Sequence, residues 1–247
     1  MRQLCRVVAS FTLCSVVTFG MGFPSSYYKI KSGKKQREEF VKILKPIIED
    51  ANQKVLKQRA FVIEFFNEAV NKSFREIEPA KLQKLDELSK KYKIKNLFDK
   101  DEYLKKIDIV PLSLAVAQAA VESAWGKSRF LKEANNIFGH WTWGEIGIIP
   151  AKREEGKTHK IKIFKTLEDS VSAYILNLNS HNAYEEFRDL RHKKRLKGEI
   201  LNGYEAAKTM KNYSELGQKY VKILQKMIKD YNLEKLDYSP ASLIATD

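Results

Sequence analysis

PLSLAVAQAAVESAW, residues 111–125, is apolar almost all round when wound at 3.6 residues per turn. Val110, ahead of a proline, is expected to be extended, and Pro111 is suited to open a helix. A helix with no polar face belongs in the centre of a helical core, and Gly126 is a natural stop. On this predicted helix Gln118, Glu122 and Trp125 fall at i, i+4 and i+7, along one stripe. An ionised carboxylate there is costly unless it is paired or opens onto a cleft. Burial raises a carboxyl pKa, which is what a general acid needs near neutral pH. Glycoside cleavage requires such an acid on the leaving oxygen. The competing reading is a carboxylate paired with Lys127 or Arg129, with no catalytic role.

Downstream, residues 127–144 hold Asn135, Asn136, Phe138, Gly139, Trp141 and Trp143. The aromatic faces of Trp125, Trp141 and Trp143 suit sugar rings, and Asn135 and Asn136 offer hydrogen bonds to acetamido groups. Phe138 reads better as an anchor to the core. From Glu145 to Phe164 the pattern predicts a β-hairpin, with Glu154-Glu155-Gly156-Lys157 at its tip. Thr166 is placed to cap a helix bearing Leu167, Val171, Tyr174 and Leu178, and further helices fit about 183–197, 203–210 and 214–231. The tail 233–247 reads as irregular.

Upstream, residues 25–37 read as a mobile basic linker. Residues 38–107 form a helical lead-in, in which Pro46 is expected to kink or break the first helix and Pro79 to open a second. The lead-in carries no motif tied to chemistry. Residues 1–26 read as a secretory signal: Arg2 and Arg6 precede the uncharged run Val7 to Phe23, with cleavage near Gly22 or Ser26 and an uncleaved membrane anchor as the alternative. Both cysteines, Cys5 and Cys14, lie in this segment, so a processed chain has no disulfide, zinc–thiolate site or cysteine nucleophile. The 247-residue chain carries 45 basic and 31 acidic residues, a net charge of +14 that favours polyanions. Charge alone would point to nucleic acid; export turns the expectation to an anionic wall or membrane surface.

PLSLAVAQAAVESAWGKSRFLKEANNIFGHW (111–141) closely resembles the glucosaminidase domain of bacterial wall hydrolases, the flagellar peptidoglycan hydrolases among them, and most of all the Bax-type proteins of bacteria. The pattern Gln118-Ala-Ala-Val-Glu122-Ser-Ala-Trp-Gly126 followed by Asn136-Ile-Phe-Gly139 carries the likeness, which continues through SVSAYILNLNSHNAY (170–184) and NYSELGQKYV (212–221). It spans about 108–232 well and the lead-in loosely. The resemblance implies a mainly α, lysozyme-like α+β fold: a helical glucosaminidase core with a small β-hairpin lobe and an N-terminal helical extension. It implies hydrolysis beside N-acetylglucosamine in peptidoglycan, with Glu122 as general acid. A second acidic residue falls on the hairpin, at Glu155 with Glu154 in reserve, and a groove tyrosine at Tyr213 with Tyr220 as alternative. Gln118, Trp125, Asn136, Trp141 and Trp143 complete the expected substrate-binding set. After Gly139 the sequence departs from the flagellar type, so subsite detail does not carry over.

The four histidines are scattered, without a metal-ligand spacing, and no cofactor is expected. Residues 188–197, RDLRHKKRLK, read as a solvated helix face or a hold for anionic wall polymers. Two other functions share the fold: a non-catalytic wall-binding or morphology protein, and a lytic transglycosylase that uses Glu122 alone.

Overall fold

The computed structural model describes residues 21–150, 153 and 156–238. The chain is mainly helical, with one two-stranded antiparallel sheet among those residues. Helices α1 (Ser25–Tyr28), α2 (Gly33–Asn71), α3 (Pro79–Tyr92) and α4 (Lys100–Lys106) precede the central α5 (Leu112–Glu122). Then come α6 (Arg129–Ala134), β1 (Trp141–Thr142), β2 (Lys160–Ile161), α7 (Leu167–Ser180), α8 (Glu185–Leu196), α9 (Gly203–Ala207) and α10 (Gln218–Asp230). No helix among the described residues is long and apolar enough to cross a membrane.

The all-round apolar helix takes the central place expected of it, since every residue of α5 from Leu112 to Ala120 is buried. It ends at Glu122, however, rather than running to Trp125. Ala124, Trp125 and Gly126 follow with φ of 49°, 55° and 76°, three consecutive left-handed residues. Ser123 holds this turn: its hydroxyl donates to the Ala119 carbonyl and accepts the Gly126 N–H. Gly126 is required there, because a Cβ would lie 2.6 Å from the Phe23 ring.

Pro46 neither breaks nor ends its helix. α2 runs for 39 residues, capped by Ser32, with Pro46 inside it. An interior proline costs about 3 kcal/mol. Buried residues at helical spacing on both sides of it, Phe40 and Leu44 before, Ile48, Ala51 and Val55 after, share one face. Packing of that face outweighs one lost backbone bond. The face lies in the same buried cluster as α5, α7 and α10, so residues 38–107 are wrapped into the core. The expected linker is ordered as α1 and the start of α2, with Tyr27 buried and its hydroxyl bonded to the Trp125 carbonyl at 2.6 Å. Phe23 is also buried, and the Gly22 N–H donates to Asn135.

Thr166 caps α7 as its sequence position predicts, accepting from the Asp169 N–H at 3.1 Å. The hairpin region is more compact than a single pair of long strands. Ile161 faces Trp141 on one side and bridges to Ile148 on the other. Within the expected irregular tail, Leu233–Leu236 form a 3-10 turn. Asp237 then accepts the Ser113 N–H and hydroxyl and the Gly203 N–H, tying the tail to the openings of α5 and α9.

The basic run of α8 is solvated only in part: Lys193 and Lys197 are exposed, while the arginines turn inward. Arg188 and Arg191 are buried, and Arg195 grips Asp108 through two bonds of 2.9 and 2.7 Å. Asp108 is itself buried, with Arg59 at 3.7 Å and Arg191 at 4.0 Å. Burial raises its carboxyl, but the Arg195 bonds and the surrounding guanidinium charges win and bring it down to about 2.

Candidate active site

Glu122 is the last residue of α5, where the core helix meets the surface, and it is neither sealed in nor fully exposed. The ion pairs expected of the competing reading are not formed: Arg129 lies instead beside Glu133 at 3.9 Å and donates to the Ile149 carbonyl. Burial raises the Glu122 carboxyl above its ordinary value, and a hydrogen bond from Tyr220 offsets only part of that rise. No charged neighbour among the described residues drives the shift; desolvation does.

The side chains around it are tyrosines rather than tryptophans. Tyr220, third residue of α10, donates to Glu122 Oε1 at 2.6 Å. Tyr213 stacks parallel on Tyr220, with ring centroids 5.6 Å apart and an interplanar angle of 2°, and its hydroxyl donates to the Phe138 carbonyl at 3.3 Å. Phe138 stacks in turn on the buried Tyr174 at 3.9 Å, and Tyr184 packs against Tyr213. Burial holds all four phenols above their ordinary pKa, so they act as neutral donors beside the acid.

Gln118 fixes the direction of this network. It is fully buried; Tyr174 donates to its Oε1 at 2.7 Å, and its Nε2 donates to the Tyr220 hydroxyl at 3.3 Å. A hydroxyl that accepts from Gln118 has its own proton free to give to Glu122. The chain of donors therefore ends on Oε1 and does not reach Oε2. Gly139 lies on that side, where an added Cβ would come no nearer than 3.9 Å to Oε2.

Several expected binding residues are placed differently. Gln118 is fully buried with its amide bonded to two tyrosines, so it does not face a sugar directly. Asn136 is buried, with Nδ2 donating to the His140 and Lys162 carbonyls and Oδ1 accepting the His140 N–H; it pins the loop to β2 rather than offering an acetamido partner. Asn135 is likewise used up, by Gly22, Phe164 and Lys165. Trp125 leaves the Gln118–Glu122 stripe because the helix stops first, and its ring packs on Phe40 and Tyr231. Trp141 and Trp143 are exposed on the hairpin lobe, at 51% and 72%. Glu154 and Glu155 lie outside the described residues. Tyr213 takes part as the backing of Tyr220, and the tyrosine that reaches the acid is Tyr220. Its helical setting reads as ordinary core; the signal for its role is that Gln118 and Glu122, one turn apart, need a shared partner from the facing helix.

A family model for glucosaminidase, described as mannosyl-glycoprotein endo-beta-N-acetylglucosaminidase, matches residues 99–233. The chain belongs to the glucosaminidase family. This glucosaminidase is accordingly a glycoside hydrolase of the endo-β-N-acetylglucosaminidase type. It is 29% identical over 209 residues to protein bax of Escherichia coli strain K12, across 82% of this chain and 72% of the relative. A more distant likeness is to the catalytic domain of the autolysin Auto (Lmo1076) from Listeria monocytogenes, at 19% identity and a TM-score of 0.36, covering 72% of this chain and 88% of that one. The matched segment contains Glu122, Gln118, Tyr174 and Tyr220, whereas α1, α2 and α3 lie ahead of it.

The glucosaminidase site yields a pH prediction with a definite sign. Were Glu122 the general acid, which works while protonated, activity would be present below its raised pKa and lost as pH rises through it. Tyr220→Phe removes the bond that lowers this pKa. The alkaline limb of kcat/KM against pH should therefore move to higher pH, while the maximum falls because the forming carboxylate loses its donor. An alkaline limb that stayed put or moved down would contradict the assigned hydrogen-bond direction.

Proposed function

We propose that the protein is an exported peptidoglycan hydrolase that cleaves a glycosidic bond beside N-acetylglucosamine, with Glu122 as general acid. The observation that carries this reading is a desolvated carboxyl at a helix end, 2.6 Å from a tyrosine hydroxyl and charge-paired with nothing among the described residues. Its proton, held on Oε2, passes to the leaving glycosidic oxygen. As negative charge appears on Glu122, the Tyr220 hydroxyl stabilises it through a bond already in place. The exposed Trp141 and Trp143 would offer flat faces to sugars along the lobe.

Glu155, with Glu154 in reserve, would supply the second carboxylate from the hairpin tip. A separation from Glu122 of roughly 5–5.5 Å would make it a nucleophile with retention, and roughly 6.5–9.5 Å a base for water with inversion. The wall as substrate is supported by the family and by a net charge of +14 suited to an anionic polymer. Export is supported by the basic, then apolar, opening of the sequence. Removal of a leader ahead of Phe23 would keep that core residue, whereas removal at Ser26 would strip it from its contacts with Tyr27 and Phe40.

Mass spectrometry of purified wall digested with the protein tests the proposal. New reducing ends on N-acetylglucosamine are expected. Anhydro-sugar products would replace it with lytic transglycosylase chemistry, and sedimentation with the wall without released sugars would replace it with a binding role.

A further inference from the structure

Well away from Tyr220, at the opposite end of α10, that helix and α2 enclose a cleft of about 300 Å³. Lys34, Arg37 and Glu38 line it from α2, Asp230 and Tyr231 from the end of α10, and Trp125 from the turn after α5. The Arg37 guanidinium lies 5.1 Å from the Tyr231 ring centroid and 5.9 Å from that of Trp125, and the two rings meet edge to face. Stacking of this kind holds a guanidinium in place without using its N–H donors. Among the described residues Arg37 has no hydrogen-bond or ion-pair partner, and neither has Glu38. Neighbours on a helix point apart, so the two do not neutralise each other. Asp230 is satisfied by Lys226 at 2.8 Å.

The cleft therefore presents a fixed, unpaired guanidinium with Lys34 beside it, an unpaired carboxylate, and an aromatic floor. The floor is built with care. Trp125 and Ala124 both adopt left-handed backbone, which side chains rarely do, and the Trp125 carbonyl is held by Tyr27 at 2.6 Å. Such strain is retained where a side chain must be presented in one place. A ligand that matches these groups is small and zwitterionic, with a carboxylate for the Arg37 fork and a free amine for Glu38.

We infer that this cleft binds the short amino-acid stem that branches from a wall glycan, taking a stem carboxylate on Arg37 and a free stem amine on Glu38. The inference rests on the wall reading above and adds a second point of contact at the other end of α10 from Tyr220. Half of the site comes from α2, ahead of the segment matched by the family model.

Titration calorimetry on the full chain carrying Glu122→Gln tests it without turnover. The probe is a soluble stem tripeptide with free carboxylates and a free side-chain amine. Binding is expected, and it should weaken about tenfold or more in Arg37→Met, or when the probe's carboxylates are amidated, as loss of one charge-assisted contact implies. The amidated probe needs no change to the protein, so a folding defect in the variant cannot mask the answer. No binding of the tripeptide, equal binding of the amidated form, or stronger binding of an N-acetylglucosamine oligomer at this cleft would overturn the inference. Wall digestion that fails while the tripeptide still binds would count against the hydrolase reading alone.

Discussion

Glu122→Gln is expected to lower the rate of wall digestion by about 100- to 10,000-fold, the span that a positioned general acid contributes. Glutamine keeps the size of the side chain and an oxygen that accepts from Tyr220, so the hydroxyl network through Gln118 and Tyr174 should persist. What disappears is the proton on the second oxygen. The loss should therefore fall on kcat, with KM nearly unchanged; it should be largest below the raised Glu122 pKa and shrink as pH rises through it, because the parent loses its acid there and the variant has none to lose. Folding should improve slightly, since a buried carboxyl is disfavoured in its charged form. The parent chain has a raised folded pKa, so it loses stability as pH climbs from the unfolded to the folded value. Glu122→Gln should flatten that slope. Release of reducing ends, followed beside urea midpoints at several pH values, reads both effects. Residual activity above a tenth of the parent would remove Glu122 from the chemistry.

Asp108→Ala should be the most destabilising single change, at about 3–5 kcal/mol, because it leaves buried guanidinium groups without the carboxylate they share. Against a total of about 5–15 kcal/mol this approaches global unfolding. The same residue sets an acid limit. Its folded pKa is brought down to about 2, below the ordinary aspartate value of 3.8. Its contribution is thus complete above the unfolded pKa and is lost as pH falls towards 2. That contribution is about 2 kcal/mol for a shift of this size. Urea midpoints of the parent and of Asp108→Asn, at neutral pH and at acid pH, should converge as the pH falls. Parallel curves would show that the arginines are held by backbone carbonyls alone.

The central helix and the unusual carboxylate at its end were legible because one charged residue in an otherwise apolar rod is a strong anomaly. The Thr166 cap and the later helices followed from local rules. Where the helix ended did not, since Ala124 and Trp125 take a backbone that their residue types disfavour, and the Ser123 hydroxyl that stabilises it acts through tertiary placement. That error carried Trp125 into the wrong neighbourhood. At Pro46 the break offered as one alternative does not occur: the helix continues through it on a face that packs on both sides. The arginines of α8 looked solvated because their partner, Asp108, lies on a distant stretch of chain. Asn136, expected to meet a sugar, has its amide bonded within the loop, and only contacts distinguish a buried carboxamide from a sugar ligand.

The long second helix has a further consequence for how the molecule comes apart. Its apolar face, from Phe40 to Ala69, is continuous with the interior that supports the acid. A fragment starting near residue 99 would expose that interior to water and should aggregate or stay partly unfolded, although it contains every residue of the tyrosine network. Thermal denaturation of the intact chain should accordingly be a single cooperative event, with the amino-terminal helices melting together with the catalytic half rather than ahead of it.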